Sequence, residues 1–266
     1  MMILSRRVAP VAFVAFVAFA PCALHAQAPP AQDALSVLQV SVACAMPPQG
    51  VVPDSSALHV IGVQDTVPRE DFVARDLVIV DAGTAKGLQL GQRYVARRPV
   101  ILSGTASPRR VSLHTSGWIQ IVAADETRAI AVVEHACSYL HTNDFLEPFA
   151  APSVPADLMA IDGSIAPDFN SVGRVLYGDN ERHSGAISEY MVIDRGTDQG
   201  LVAGARFAIY RDVIRIGRDG ARMPLAAVGE GVVVTTGQTT SVMRILTARD
   251  AVYRGDLVVP RSAPQR

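Results

Sequence analysis

Lysine is nearly missing: Lys86 is the only one in 266 residues, so arginine supplies almost all of the 24 basic charges. Set against 25 acidic residues, the net charge is −1, too small to imply nucleic acid or an anionic membrane surface as a partner. Beyond the first two dozen residues, no stretch is apolar and long enough to span a bilayer, which takes about 20 residues. No G-x-x-x-x-G-K-[ST] cradle for phosphate is present, and no G-x-S-x-G nucleophile turn. Ser116 before Gly117 has no His–Asp partners in its local sequence, and the neighbouring carboxyls Asp125 and Glu126 fall in a hairpin turn, where acids are common. No catalytic residue, cofactor or metal is therefore assigned. An enzymatic reading would need a cleft gathering groups such as His114, His135 and Asp125.

What is present is a repeat. Residues 77–98 read LVIVDAGTAKGLQLGQRYVARR, and residues 190–211 read YMVIDRGTDQGLVAGARFAIYR. At a constant spacing of 113, Asp81, Gly83, Thr84, Gly87, Leu88, Gly91, Arg93 and Arg98 recur as Asp194, Gly196, Thr197, Gly200, Leu201, Gly204, Arg206 and Arg211. Three glycines in nine residues would each cost about 1 kcal/mol in a helix interior, so the stretch reads as strand, irregular turn, strand. Gly83 and Gly87 belong where φ is positive or the backbone passes close to itself. Asp81 and Thr84 are expected to hydrogen-bond free amides of the turn. Leu88 and Leu201 form an apolar plug beneath it, and Gly91 and Gly204 start the next strand. A phosphate-binding loop is disfavoured, because the second copy replaces Lys86 with Gln199.

Residues 1–26 read as a signal peptide: Arg6 and Arg7, then the apolar run 11–19, then small residues around Ala26. Its removal leaves 22 basic against 25 acidic residues and a net charge of about −3. Of the cysteines, Cys44 and Cys137 remain. An isolated pair in an oxidising compartment bonds, and the expectation is a Cys44–Cys137 disulfide fastening residues 34–45 onto the first repeat. The alternative is two buried thiols.

Each copy continues with β-branched strands separated by Gly, Asn or Asp. The first gives strands near 92–97, 117–123, 127–136 and 144–147. The second gives 205–211, 229–236, 239–247 and 256–259. Gly117, Thr127, Ala136, Asp144 and Pro148 answer here to Gly229, Thr239, Ala248, Asp256 and Pro260, now at a spacing of 112. One further strand precedes each copy, at 58–63 and 173–177, followed by a polar link able to hold a short helical turn. The expected fold is all-β, two tandem small antiparallel barrel or SH3-like modules. They occupy 57–149 and 172–261, after a leader at 27–56, with a Pro-containing linker at 150–171 and a tail at 262–266.

The pattern D-x-G-T-x-x-G-[LV]-x-x-G-x-R-[FY], followed later by [GN]-D-[LF]-x-x-P, resembles modules of exported bacterial envelope proteins. These include the SH3-like C-terminal domain of the flagellar assembly protein FlgT and uncharacterised proteins that carry LysM domains. Asp194, Gly196, Gly200, Gly204, Phe207, Tyr210, Arg211, Gly255, Asp256 and Pro260 carry the likeness most fully; the first copy has Arg97 for the tyrosine and Asn143 for the glycine. No LysM motif accompanies them. The resemblance implies a structural or interaction role and brings no catalytic residues with it.

Two clusters could carry binding chemistry. Glu134, His135, Cys137 and His141 are metal-ligand types on or just after one strand, but Thr247, Arg249 and Tyr253 stand at the places of His135, Cys137 and His141 in the second copy, and the thiol is expected to be bonded. Arginines gather towards the hairpin tips: Arg97, Arg98, Arg109 and Arg110 in the first copy, Arg211, Arg215, Arg218 and Arg222 in the second. Guanidinium groups grip carboxylate and phosphate, so these are candidate anion-binding residues. Trp118, at the start of a core strand, reads as packing. The expected protein is a non-enzymatic component of the periplasm or cell envelope with a protein partner. The other reading is direct binding of peptidoglycan or another anionic polymer by the arginine-rich tips.

Overall fold

The computed structural model describes residues 34–48, 57–103, 111–155, 158–159, 166–212 and 225–261. The signal-peptide stretch lies outside them, as do the hairpin tips with Arg109, Arg110, Arg215, Arg218 and Arg222.

The strands of the first copy are β1 (Leu58–Val63), β2 (Asp71–Phe72), β3 (Leu77–Val80), β4 (Arg93–Ile101), β5 (Val111–Ala124), β6 (Ala129–Ala136), β7 (Leu140–His141) and β8 (Phe145–Pro148). Those of the second are β9 (Gly173–Gly178), β10 (Ser184–Gly185), β11 (Tyr190–Ile193), β12 (Arg206–Arg211), β13 (Ala226–Thr236), β14 (Ser241–Ala248), β15 (Val252–Tyr253) and β16 (Leu257–Pro260). Six of each set close into an antiparallel barrel, β1-β3-β6-β5-β4-β8 and β9-β11-β14-β13-β12-β16, and each barrel carries one two-stranded side piece, β2–β7 or β10–β15. The two orders are the same, position for position. The duplication read from the glycines is a duplication of topology, and the fold is two tandem small β-barrels.

Alternation builds each core. In the first barrel Val78, Val80, Ile119, Ile121, Ala131 and Val133 point inward and are buried. In the second, Met191, Ile193, Val233, Met243 and Ile245 do the same.

The glycine turn is a 3-10 turn, Thr84–Lys86 or Thr197–Gln199, laid against the β5–β6 or β13–β14 hairpin. Thr84 and Ala85 donate their backbone N–H groups to the carbonyls of Asp125 (2.8 Å) and Glu126 (3.1 Å); Thr197 and Asp198 repeat this with Gly237 (2.9 Å) and Gln238 (3.0 Å). That backbone apposition is why Gly83 and Gly196 carry no side chain: a Cβ would lie 2.2 Å from the Asp125 oxygen and 2.4 Å from that of Gln238. Gly87 and Gly200 close the turn in the left-handed region, at φ 85° and 74°. Gly91 and Gly204 then donate to Ile121 and Val233, both at 2.8 Å, entering the sheet. Leu88 is buried and Leu201 packs partly on its core.

One detail differs from expectation. Asp81 and Asp194 do not serve their own turn: they reach across to accept the N–H of His59 (2.8 Å) and Arg174 (2.6 Å), beside the register irregularity of the β1–β3 and β9–β11 pairs. Thr84 Oγ1 likewise donates to Asp125 O (3.3 Å) across the hairpin. An amide left unpaired by an irregular ladder needs such an acceptor.

The leader is bonded to the first repeat as expected, through Cys44 and Cys137, but its packing is elsewhere. Residues 37–43 form helix α1 (Val37–Ala43), started by a capping box in which Ser36 Oγ accepts from Gln39 N (3.2 Å) and Gln39 Oε1 accepts from Ser36 N (3.0 Å). Pro47 and Pro48 prevent its continuation. Its apolar side does not pack on the first repeat. Leu38, Val42, Ala45 and Met46 join Val192, Val232, Val234, Val242 and Leu246 on the outside of the second barrel. The linker contributes as well, with Leu158 buried and Val154 packed in the same cluster. Covered this way, β14 is buried along both faces through Leu246, whereas its counterpart β6 keeps a clean alternation.

Candidate functional site

The elements that meet between the barrels are α1, the end of β6, the outer side of β5 and the link after β9. Cys44, the C-cap of α1, is bonded to Cys137, one residue past β6. The disulfide therefore joins a helix seated on the second barrel to the first. Around it, Thr115 Oγ1 donates to Ala45 O (3.0 Å), and Thr240 Oγ1 donates to Pro48 O from the other barrel. A cleft of about 300 Å³ opens beside this strut, lined in part by Met46, Pro47, Pro48, Arg97, Glu147 and Phe149.

Next to the disulfide sits a polar constellation drawn from both copies. His114 on β5 is buried; its Nδ1 lies 2.9 and 3.0 Å from the two oxygens of Asp179, and its Nε2 lies 2.6 Å from Ser138 Oγ. Asp179 opens a 3-10 turn (Asp179–Glu181) in which Asn180 and Glu181 adopt φ of 52° and 61°, a conformation non-glycine residues rarely take. The neighbouring Glu181 carboxylate accepts from the N–H and Oγ of Ser103, on the first barrel. Hydroxyl, imidazole and carboxylate stand in the order that activates a serine. Acyl transfer also needs N–H donors aimed at a developing oxyanion. Here the N–H groups of Cys137 and Ser138 both donate to Ser116 O, at 2.9 and 3.2 Å. Ser138 is not among the residues lining the inter-barrel cleft. The constellation acts as a clasp between barrels.

The cleft that would gather His114, His135 and Asp125 does not form: the latter two lie elsewhere. His135 stacks on Trp118 with ring centroids 4.5 Å apart, and Phe149 closes over the same indole at 5.2 Å. Asp125 caps the β5–β6 turn, accepting the N–H groups of Thr127 and Arg128, which hold its carboxyl below the usual range.

The metal-type residues also go separate ways. Glu134 pairs with Arg93 through two bonds of 2.6 and 2.9 Å, His141 Nδ1 lies 2.8 Å from Asp71, and Cys137 is bonded. His135 does lie close to both sulfurs, but a disulfide offers no thiolate to an ion.

Of the candidate anion-binding arginines, the three among the described residues are held internally. Arg97 bonds Glu147 and Thr115 at 2.8 and 2.7 Å, and burial pushes its guanidinium below its ordinary value. Arg211 is raised by its bonds to Asp256 (2.8 and 2.9 Å) and Asp250 (2.7 Å), and lies over the Tyr253 ring. Arg98, its equivalent in the first copy, stands 3.9 Å from Asp144, the equivalent of Asp256. That buried carboxyl is raised by desolvation, against the pull of the His141 N–H (2.9 Å) and the Arg98 charge.

A second opening lies on the outside of the first barrel, a groove of about 540 Å³ bordered by Ile79, Ala123, Ala124 and Ile130, with Gln64, Asp125 and Arg128 at the rim. Ser138 does not line it either.

By fold, the described residues form two like barrels braced by helix α1 and the Cys44–Cys137 disulfide. No protein-family model matches it, and no curated protein matches it in sequence.

Proposed function

We propose that this is a non-enzymatic, exported component of the cell envelope, in which the two barrels act together as a protein-interaction or assembly part. The observation that carries the reading is the bracing itself: helix, disulfide and the His114–Asp179 clasp hold two like barrels as one body. The imidazole of His114, the carboxylate of Asp179 and the hydroxyl of Ser138 bond to one another within that bracing. The disulfide suits an oxidising compartment, in keeping with the signal-like first 26 residues. Among the described residues no helix is long and apolar enough to cross a membrane.

Crosslinked cell envelope is the material for the test. A tagged chain is expected to recover a defined protein partner, and removal of either barrel to abolish recovery. Repeated crosslinked samples that yield no defined partner would end this reading. Direct binding of peptidoglycan or another anionic polymer ranks second, since Arg97, Arg98 and Arg211 face internal acids. It would require Arg109, Arg110, Arg215, Arg218 and Arg222. Sedimentation with purified sacculi that is weakened by Arg218→Ala with Arg222→Ala, and by salt, would restore it to first place.

A further inference from the structure

The two barrels are copies, but among the described residues a helix covers the outer face of the second alone. The strand registers fix which residues correspond. In the second barrel Tyr190 pairs with Arg244 and Val192 with Val242 across β11–β14; in the first, Leu77 pairs with Val132 and Ile79 with Ile130 across β3–β6. The next strand continues the match, Val232 against Arg244 and Gln120 against Val132.

Helix α1 lies on this face of the second barrel, where Val192 and Val242 are fully buried and Val234 is 4 % exposed. On the first barrel the corresponding face is aliphatic at Leu77, Ile79, Val122, Ile130 and Val132, with Gln120 and Glu134 where the second barrel has Val232 and Leu246; Leu77 is 38 % and Val122, the equivalent of Val234, 44 % exposed. The 540 Å³ groove runs over its Ile79 and Ile130. The second barrel thus has an outer face that accepts a short helix, and no described helix fills the matching face of the first.

We propose that this face of the first barrel docks a short amphipathic helix supplied by a protein partner. The proposal rests on the interaction-module reading and names the surface and the partner chemistry. The face also specifies how the occupant differs from α1. On the second barrel Ser41 Oγ lies 2.7 Å from the Tyr190 hydroxyl and 3.2 Å from Arg244, so the helix presents a hydroxyl to a polar pair. On the first barrel that pair is Leu77 and Val132. A hydroxyl set there would be stripped of water with no bond in return, so the docking helix carries an aliphatic residue at this position. The same reasoning sets aside α1 of a second copy: it bears Ser41 and is already bonded to its own Cys137. The interaction is of the helix-in-groove kind, with anchors spaced three and four apart.

The probe is a synthetic peptide of residues 34–46 carrying Cys44→Ser, made with Ser41 and with Ser41→Leu. It is titrated into the full, disulfide-bonded chain bearing methyl labels. The Ser41→Leu peptide is expected to shift the methyls of Leu77, Ile79, Val122, Ile130 and Val132, binding about tenfold more tightly than the Ser41 peptide. Ile130→Glu should remove these shifts; Val122→Arg, at an exposed site, serves if that variant melts early. No shift by about 1 mM peptide overturns the proposal, since that corresponds to only some 4 kcal/mol of binding. So do shifts confined to Val192 and Val242, which would mean exchange with α1. Self-association of the chain that Ile130→Glu abolishes also overturns it, giving the groove to a second copy. In each case the crosslinking result stands separately, so a failed groove is distinguishable from a failed interaction role.

Discussion

Cys44 and Cys137 are bonded across 93 positions of chain, and the bond ties a helix lying on one barrel to the strand end of the other. A loop of that length is costly to close in the unfolded chain, so the bond stabilises mainly by restricting that state. Cys44→Ser with Cys137→Ser, or added reductant, is expected to lower stability by about 2–4 kcal/mol, read as a falling melting temperature. Thiol labelling should require reductant. A melting curve indifferent to reductant would show the brace to be ornamental.

The seat of α1 can be probed without touching sulfur. Met46 is 1 % exposed within the layer between helix and second barrel. Met46→Ala is expected to cost about 2–5 kcal/mol by chemical denaturation, as for other large-to-small changes in a packed core. A helix resting only on its disulfide would lose far less.

Gly83 and Gly87 stand four apart in one turn and should respond differently. At Gly83 an added Cβ meets the Asp125 carbonyl, so Gly83→Ala must pry the turn from the hairpin and should cost upwards of about 2 kcal/mol. At Gly87 nothing lies within reach of a Cβ, and only the positive φ is penalised, by roughly 1 kcal/mol for Gly87→Ala. The same contrast is expected between Gly196 and Gly200. Equal losses within each pair would contradict the close-approach explanation.

Two aspartates should give opposite pH dependences. Burial raises the Asp144 carboxyl, so its contribution to stability is complete below its unfolded value and is lost as pH climbs through the raised folded one. Asp144→Asn should therefore compare more favourably with the parent at pH 7 than at pH 3. Asp76 is lowered by Arg69, with which it forms two bonds of 2.8 Å. Its contribution is present above the unfolded value and fades as pH falls through the lowered folded one, so Asp76→Asn should cost more at pH 7 than at pH 3. Urea midpoints at the two pH values check both signs.

Ser138 offers the decisive chemical check on the clasp. With no N–H free at its backbone to hold an oxyanion, it is expected to resist a fluorophosphonate probe. His114→Ala should instead lower stability by about 1–3 kcal/mol, because it empties a buried position and removes the bonds to Asp179 and Ser138. Labelling of Ser138 that disappears in His114→Ala would make the constellation catalytic.

Sequence alone disclosed what is local. The β1 span at Leu58–Val63 follows from its apolar run, and the glycine turn from a backbone requirement that only glycine meets. The position of α1 was not legible from its own residues, since VLQVSVA is as β-branched as a strand and its receiving surface begins some 150 residues on. Nor did β14 announce its cover: SVMRILTA is no more continuously apolar than AIAVVEHA, and the two strands differ only in the fold, where β14 is buried on both faces and β6 on alternate residues. His114 and Asp179 come from different copies at unmatched positions, so the repeat that revealed the barrels concealed their clasp. The tip arginines looked alike in sequence; only folded partners separate Arg211, gripped by two acids, from one offered to a ligand.

Helix α1 precedes the first barrel in the chain but rests against strands near the far end. During synthesis from the amino terminus, its berth is made last. Until β13 and β14 emerge, the aliphatic stripe of Leu38, Val42 and Met46 has only part of its seat, from Val154, Leu158 and Val192, and Cys137 arrives before any of it. Premature oxidation would fasten the helix to a half-made protein, leaving it to find its resting place while already leashed. The order of events, sulfur first or packing first, is thus a choice imposed by chain direction.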